Sequence, residues 1–336
     1  MACRITLGCV ALACAVACAR SPSDDQSGGG ADGVPAAATT PAPRAPPSTS
    51  VRIAPTRLLT MRGSAYGATL GSSDGTGFLL TSGAAYRFVQ GEAPTRWAGD
   101  FGVAPALTPG HISFWSGGAF RRVPTSGGEP ALVATVPRQP QRFVTSGDHI
   151  AWLERADGGF SIHTLDGSKG RLVYAAAGYV GTLAMDDDRI YFAERAADRS
   201  WRLGLVARSG GAAHYTKPKR GRLPALLVLA ESLFYYDGPS SSVRRVSPDL
   251  GSEEVIARDV ICSPIAVADN VYCAQPAGLV EIRIDGGVRR TIPLDTPGAI
   301  TAIAATAQQL TWVTDIGGDQ LAVDSIPLTD KPSLAP

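Results

Sequence analysis

The sequence predicts an all-β protein built from a repeated unit of four short strands. The chain holds 38 Gly and 25 Pro among 336 residues, which argues against a helical bundle because these residues cost about 1 and 3 kcal/mol inside a helix. One short apolar pattern recurs at nearly constant spacing. Asp, Asn and Gly, the residues that tolerate tight hairpin turns, separate the apolar runs inside each repeat.

The recurring pattern is a turn residue, an apolar anchor, any residue, and then an aromatic or large apolar residue. A weaker copy around Phe78 lies 34 residues before the first strong copy. Self-similarity at such a period indicates a repeat architecture. The six strong anchors are spaced by 38, 40, 43, 38 and 39 residues and are Ile112, Ile150, Ile190, Leu233, Val271 and Leu310.

Each repeat divides into four short strands. For example, Thr182–Met185 precedes a turn at Asp186–Asp188, and the anchor strand then contains Ile190. Four strands in about 39 residues form one blade of a β-propeller, and seven copies fall within the usual four to eight blades. We therefore predict a seven-bladed β-propeller of four-stranded blades. A β-sandwich or two smaller β domains would be the alternative, but the period runs without a linker from about residue 63 to 326.

The two ends of the repeat region predict how the ring closes. The last repeat supplies only three strands, near 299–305, 309–314 and 320–326. An apolar strand at 57–61 has no place in the first repeat. We predict that this N-terminal strand is the outer strand of the last blade, which removes two sheet edges.

The N-terminal sequence indicates that the protein is secreted. Residues 1–17 read as a signal peptide, because Arg4 precedes an uncharged run from Ile5 to Ala17 that is too short to span a membrane. The segment ending in Cys18 resembles the bacterial lipobox, which implies a diacylated Cys18, palmitate included, as the mature N-terminus. Cys14 is a competing site, and an ordinary Cys-rich signal peptide is the alternative. Ala19 implies sorting to the outer membrane.

A tether follows the lipobox. In residues 19–50, 25 of 32 residues are Ala, Pro, Gly, Ser or Thr, and none is aromatic. Such a segment cannot bury enough apolar area to offset its chain entropy. We therefore divide the chain into the signal peptide, a lipidated Cys with a flexible tether at 18–52, the propeller at 53–328, and a tail at 329–336.

The repeat resembles open families of bacterial propellers, the TolB-type and streptogramin-lyase-type repeats, over about residues 57–326. The resemblance implies the fold and leaves the function unassigned, because propellers host unrelated activities. Streptogramin-lyase-like propellers use His and acidic residues at the channel mouth, and we find no matching set. His111 and His149 occupy one repeat position in different blades. The acidic turn at Asp186–Asp188 lacks further calcium ligands. We predict no catalytic residue, metal or cofactor.

Two cysteines of the sixth repeat remain besides Cys18. Cys262 and Cys273 lie eleven residues apart, and an oxidising compartment permits a disulfide between them. Simple hairpin pairing places Cys273 opposite about Ala266, so a bridge requires the preceding loop to fold back. Two small buried hydrophobic residues are the alternative.

The distribution of charged residues along the loops predicts a binding face. The net charge of +1 and the 18% charged residues give no reason to expect nucleic acid as a partner. In propellers, the loops between blades and the loops between second and third strands share one face. We predict a polar binding face there for an envelope protein or glycan, with solvated long loops as the alternative. Its residues are Glu154, Arg155, Glu194, Arg195, Lys217, Lys219, Arg220 and Arg222.

Together these features predict a propeller attached to the cell envelope by its N-terminal lipid, at the outer membrane and facing the periplasm or the cell surface. We expect a non-catalytic binding or scaffold module. One alternative is a propeller enzyme, a lyase or hydrolase with its site at the channel mouth. The other is a component of envelope assembly machinery.

Overall fold

A computed structural model gives the fold of the repeat region. The described residues are 55–62, 69–73, 76–81, 84–89, 92–99, 105–108, 110–156, 158–229, 232–262, 265–276, 278–294, 298–306 and 309–328. The predicted signal peptide, Cys18, the tether and the tail lie outside them. The described residues contain no α-helix. No helix among them is therefore a candidate for crossing a membrane.

The described residues form 28 strands in seven four-stranded antiparallel sheets, which we number as blades 1 to 7. Blade 1 contains β2 (Thr69–Ser73), β3 (Thr76–Leu80), β4 (Ala84–Val89) and β5 (Thr95–Gly99). Blade 2 contains β6 (Ala106–Thr108), β7 (His111–Ser116), β8 (Ala119–Pro124) and β9 (Ala131–Thr135). Blade 3 contains β10 (Arg142–Ser146), β11 (His149–Ala156), β12 (Gly159–Asp166) and β13 (Lys169–Ala176). Blade 4 contains β14 (Tyr179–Met185), β15 (Arg189–Arg195), β16 (Trp201–Ala207) and β17 (His214–Tyr215). Blade 5 contains β18 (Leu226–Leu229), β19 (Ser232–Asp237), β20 (Ser242–Val246) and β21 (Glu253–Ala257). Blade 6 contains β22 (Ile265–Val267), β23 (Asn270–Gln275), β24 (Gly278–Arg283) and β25 (Val288–Pro293). Blade 7 contains β26 (Ala299–Ala305), β27 (Gln309–Gly317), β28 (Gln320–Pro327) and β1 (Thr56–Arg62).

The first strand of each blade faces the ring axis. These innermost strands are β2, β6, β10, β14, β18, β22 and β26, and each contacts the innermost strands of both neighbouring blades. Contact between β26 and β2 completes the circle. The seven-bladed β-propeller predicted from the repeat is therefore confirmed.

The N-terminal strand closes the ring as predicted. Strand β1 pairs antiparallel with β28, and for example Thr60 lies opposite Ala322. Because β1 is the outer strand of blade 7, the first and last described strands share one sheet. This shared sheet joins the ends of the propeller through backbone hydrogen bonds.

The periodic anchors form the core. They lie on the second strands, β7, β11, β15, β19, β23 and β27, and all are buried. A second strand has a strand on each side and a neighbouring blade on each face, so its apolar residues are covered. The largest buried side chains include Trp152, Trp201 and Trp312. The repeat period in the sequence is therefore the spacing of buried second strands.

The acidic turn before β15 is a structural turn. One carboxylate oxygen of Asp186 accepts hydrogen bonds from the N–H groups of Asp188 and Arg189, at 3.0 and 2.8 Å. The other oxygen accepts the hydroxyl of Tyr191 at 2.8 Å. Burial raises the pKa of Tyr191 to about 12. The side chain of Asp186 thus stabilises the hairpin turn that the sequence predicted at Asp186–Asp188.

Candidate functional site

A hollow lies at one mouth of the central channel. It forms where the innermost strands of blades 3 to 6 begin, on the face that carries the loops between blades. Its volume is about 530 Å³. Arg142 and Tyr179, the first residues of β10 and β14, line it, and the loops that lead into β18 and β22 complete the wall. We call this hollow the mouth pocket.

Three arginines line the mouth pocket from three separate elements. Arg142 begins β10, Arg195 ends β15, and Arg222 lies in the loop between blades 4 and 5. The described lining residues include no Asp or Glu. Within the described part of the chain, no carboxylate forms an ion pair with any of these three guanidinium groups. The pocket therefore carries a concentrated positive charge.

Arg195 is only partly satisfied by the protein. One of its terminal nitrogens donates a hydrogen bond to the carbonyl of Gly221 at 3.2 Å, which fixes the guanidinium beside the loop. Its Nε is buried and has no hydrogen-bond partner among the described residues. A buried donor without a partner costs free energy. An anion that reached this nitrogen would satisfy it.

A second hollow of about 470 Å³ shares Arg195 with the mouth pocket. Arg199 and Arg220 also line it, together with one carboxylate, Asp198. Hydrogen bonds from the hydroxyl and the N–H of Ser200, at 2.6 and 2.9 Å, lower the pKa of Asp198. Three guanidinium groups against one ionised carboxylate leave this hollow positive as well.

Aromatic and apolar side chains complete the mouth pocket. Tyr179 is 53% exposed and packs edge-on against Phe160 with ring centroids 5.1 Å apart. Tyr236 lines another part of the wall. Leu223 and Ile265 also line it. The pocket thus combines guanidinium donors with surfaces that suit apolar groups.

Glu194, predicted for the binding face, lies in the interior instead. Glu194 is only 3% exposed to solvent. It accepts a hydrogen bond from Arg202 at 3.0 Å and another from the N–H of Gly178 at 3.1 Å. Arg202 also stacks over the ring of Tyr215, 3.5 Å from its centroid. Glu194 therefore connects strands within blade 4, and its placement on an exposed face is wrong.

Lys219 is likewise held in a structural network. Its Nζ donates to both carboxylate oxygens of Glu253 at 2.7 Å. Tyr235 and Arg244 donate to the same carboxylate at 2.6 and 2.7 Å. Burial alone would raise the pKa of Glu253, but these three donors hold it below its ordinary value. The charge of Lys219 is therefore neutralised inside the protein.

The other residues predicted for the binding face lie at several different places in the structure. Glu154 accepts a hydrogen bond from the indole of Trp152 at 2.7 Å, and lines a different hollow on blade 3 beside His163. Burial lowers the pKa of His163, and the charge of Glu154 partly offsets this. Arg155 and Lys217 are exposed on the loop face. Of the eight residues, only Arg195 and Arg222 line the mouth pocket, and Arg220 lines the adjoining hollow.

The sequence reasoning missed Arg142, Tyr179 and Tyr236. Arg142 and Tyr179 stand at the same place in consecutive repeats, the first residue of an innermost strand. This position faces the mouth because the innermost strands surround the axis. Aligning the repeats at this position, as well as at the anchors, would have indicated both residues. Tyr236 near the end of β19 carries no comparable signal.

Cys262 and Cys273 are joined by a disulfide, with their Cα atoms 4.5 Å apart. Both residues are buried. The strand register differs by one residue from the sequence prediction, since Cys273 lies opposite Ile265 and Tyr272 lies opposite Ala266. The shift reflects the short turn between β22 and β23. The bond ties the loop entering blade 6 to its second strand.

Histidines and acidic residues do not assemble into a metal site in the described part of the chain. No group of three or more His, Cys, Asp or Glu there could hold a metal ion. His111 and His149 are the first residues of β7 and β11, in different blades. The described lining of the mouth pocket offers guanidinium and phenol groups, and these can bind and orient a ligand.

The fold places this chain in the class of seven-bladed β-propellers. Among solved structures it is similar to PorZ, described as an essential bacterial surface component of the type-IX secretion system of Porphyromonas gingivalis. The TM-score is 0.55 at 12% identity, over 80% of this chain and 37% of PorZ. The chain therefore spans little more than a third of PorZ, and the likeness shows the fold alone.

A nidogen/laminin complex structure gives a TM-score of 0.41 at 16% identity, over 56% of this chain and 78% of that one. That similarity carries no functional argument. No model of a known protein family matches the sequence, and no curated protein matches it either.

Proposed function

We propose that this protein is a lipid-anchored propeller of the bacterial cell envelope that acts as a non-catalytic binding or scaffold module. The observation that carries the proposal is the mouth pocket, where Arg142, Arg195 and Arg222 surround a hollow without a carboxylate in its described lining. A buried charge that supports the fold is usually paired, as Lys219 is with Glu253. Arg142, Arg195 and Arg222 have no carboxylate partner among the described residues, so in a concave site they are available to a ligand.

The anchor in this proposal rests on the N-terminal sequence. The segment ending in Cys18 resembles a lipobox, and Ala19 fits sorting to the outer membrane. Acyl chains on Cys18 would attach the protein stably, because two or more chains give firm membrane binding. PorZ, which shares the fold, is described as a bacterial surface component. A role at the periplasmic side or the cell surface agrees with that analogy.

The binding role can be tested by site-specific photo-cross-linking in intact cells. Lys217 is exposed on the face of the mouth pocket, and Lys169 is exposed at the β12–β13 turn on the opposite face. A photoreactive residue is placed at each position in turn in the full chain. We expect a cross-linked macromolecule from position 217 and none from 169. No product from either site, or products from 169 alone, would overturn the proposal.

The anchor needs a separate experiment. Cells expressing the full chain are labelled with a clickable palmitate analogue, and the mature N-terminus is identified by mass spectrometry. We expect label on the wild type and on Cys14→Ser, and none on Cys18→Ser, which should also leave the membrane fraction. An unacylated mature protein that begins elsewhere would show that the lipid anchor is wrong.

A further inference from the structure

The chemistry of the mouth pocket fits a particular ligand class. We propose that it binds an acidic peptide segment of a partner protein, held by Arg142, Arg195 and Arg222. This inference deepens the proposed binding function and rests on it. Three guanidinium groups, from two blades and one loop, line this single hollow of about 530 Å³.

Charge balance is the first argument. Like charges gathered in one hollow repel each other, and the described lining supplies no carboxylate to offset them. Solvent ions or a ligand can supply the balancing charge. All three cations are arginines, whose planar guanidinium binds a carboxylate through two parallel hydrogen bonds. The Nε of Arg195, which has no hydrogen-bond partner among the described residues, adds a donor that a carboxylate can satisfy.

The rest of the lining favours a peptide. Tyr179 and Tyr236 stand beside the arginines, and Leu223 and Ile265 add apolar surface. Tyr and Arg are among the residues most enriched where proteins bind one another tightly. A small inorganic anion would use only the guanidinium groups. A peptide with alternating acidic and apolar side chains would use the whole surface.

The loop that carries this chemistry is held in place before any ligand arrives. Lys219 and Trp201 exchange two backbone hydrogen bonds, at 2.7 and 2.8 Å. The indole of Trp201 donates to the carbonyl of Arg220 at 3.1 Å. A loop already ordered loses less conformational entropy on binding. The pinned loop leads from the adjoining hollow, with Arg220, to the mouth pocket, with Arg222.

The test measures binding of two labelled peptides to the full chain in detergent. One octapeptide alternates Glu and Leu, and its control alternates Gln and Leu. By fluorescence anisotropy we expect the Glu peptide to bind at least tenfold more tightly, and less tightly in 300 mM than in 50 mM NaCl. The double variant Arg142→Gln/Arg222→Gln should weaken it at least tenfold. Arg96→Gln, an exposed arginine on β5, should leave binding unchanged.

Thermal unfolding of each variant checks that the fold is retained; should the double variant unfold, the two single variants replace it. Equal binding of both peptides, or no effect of the arginine substitutions, would overturn the inference. Tighter binding of polyphosphate or of a uronic-acid oligosaccharide than of the Glu peptide would overturn it too. Any of these outcomes would overturn the acidic-peptide ligand and still be compatible with the proposed binding role, provided that position 217 yields a cross-link in cells. Absence of the cross-link from position 217 would overturn the proposed binding role itself.

Discussion

Arg57 on the first strand donates a hydrogen bond from Nε to Oδ1 of Asp324 on the last strand, at 2.5 Å. The two residues also lie directly opposite each other in the pairing of β1 with β28. The side chain of Asp324 is 3% exposed, whereas that of Arg57 is 43% exposed. A buried carboxylate is thus neutralised by a cation from the far end of the chain. This pair adds side-chain specificity to the backbone closure of the ring.

We expect Arg57→Ala to destabilise the propeller by about 1–3 kcal/mol. Removing one partner of a fully buried ion pair costs about 3–5 kcal/mol, and the partial exposure of Arg57 reduces that figure. The free energy of unfolding from urea denaturation checks this. Arg96→Ala, an exposed arginine on β5, is the matched control and should change it by less than about 0.5 kcal/mol.

The pair can also be replaced as a whole. Arg57→Met combined with Asp324→Leu removes both charges, so no uncompensated carboxylate stays buried. We expect the double variant to be more stable than Arg57→Ala. Equal stability of Arg57→Ala and Arg96→Ala would show that the ion pair contributes nothing to closure.

The disulfide should stabilise blade 6. Substituting Cys262→Ala and Cys273→Ala together should lower the free energy of unfolding by about 2–4 kcal/mol, the usual range for a short closed loop. A reducing agent should lower the melting temperature of the wild type and leave that of the double variant unchanged. Alkylation followed by mass spectrometry reports whether the native thiols are free. Full alkylation of the native protein without reductant would contradict the bond.

Glu253 should make stability depend on pH. Its pKa is lowered in the folded protein from an ordinary 4.5, so the folded state gains stability when this group is ionised. That gain is complete above the unfolded pKa and is lost as the pH falls below about 4.5 through the lower folded value. Urea denaturation between pH 3 and 7 measures the effect.

Two variants separate Glu253 from other acids. Glu253→Gln should cost about 2 kcal/mol at pH 7, because Lys219 loses its ion pair and Arg244 keeps only its pair with Asp237. The difference from wild type should shrink as the pH falls toward 3. Glu254→Gln, on the adjacent and more exposed residue, should change little at either pH. A difference for Glu253→Gln that stays constant with pH would contradict the assignment.

Two residues that the sequence placed on the binding face, Glu194 and Arg155, should differ in their effect on stability, because Glu194 is buried and Arg155 is exposed. Glu194→Ala removes a buried acceptor from Arg202 and Gly178, which we expect to cost about 2–3 kcal/mol and to lower the melting temperature by about 4–12 °C. Arg155→Ala changes an exposed residue and should shift the melting temperature by less than about 2 °C. Similar shifts for both variants would show that Glu194 is not structurally important.

The fold was predictable from the sequence because its core is periodic. Each buried second strand needs an apolar anchor, so Ile150 and Ile190 repeat at the blade spacing and reveal the architecture. Ring closure was predictable because the strand at 57–61 had no other place. These signals come from burial, which acts on every repeat alike.

The site was less predictable because charge pairing is not periodic. The partner of Lys219 is Glu253, which lies 34 residues away in the next blade, and no local pattern announces it. The loop conformation decides that Lys219 points inward while Arg222 lines the mouth pocket. Arg142 was missed because it lies at a strand start rather than in a charged loop.

The pairing of β1 with β28 has a consequence for biosynthesis. Among the described strands, β1 leaves the ribosome first, and β28, the strand with which it pairs, leaves last. Arg57 and Asp324 are 267 residues apart in the chain, so their contact forms slowly compared with local hairpins. Until β28 has been made, β1 has no partner in its own blade, and an unpaired strand edge is a place where another chain could add. We therefore expect β1 to stay without its partner strand through most of chain elongation.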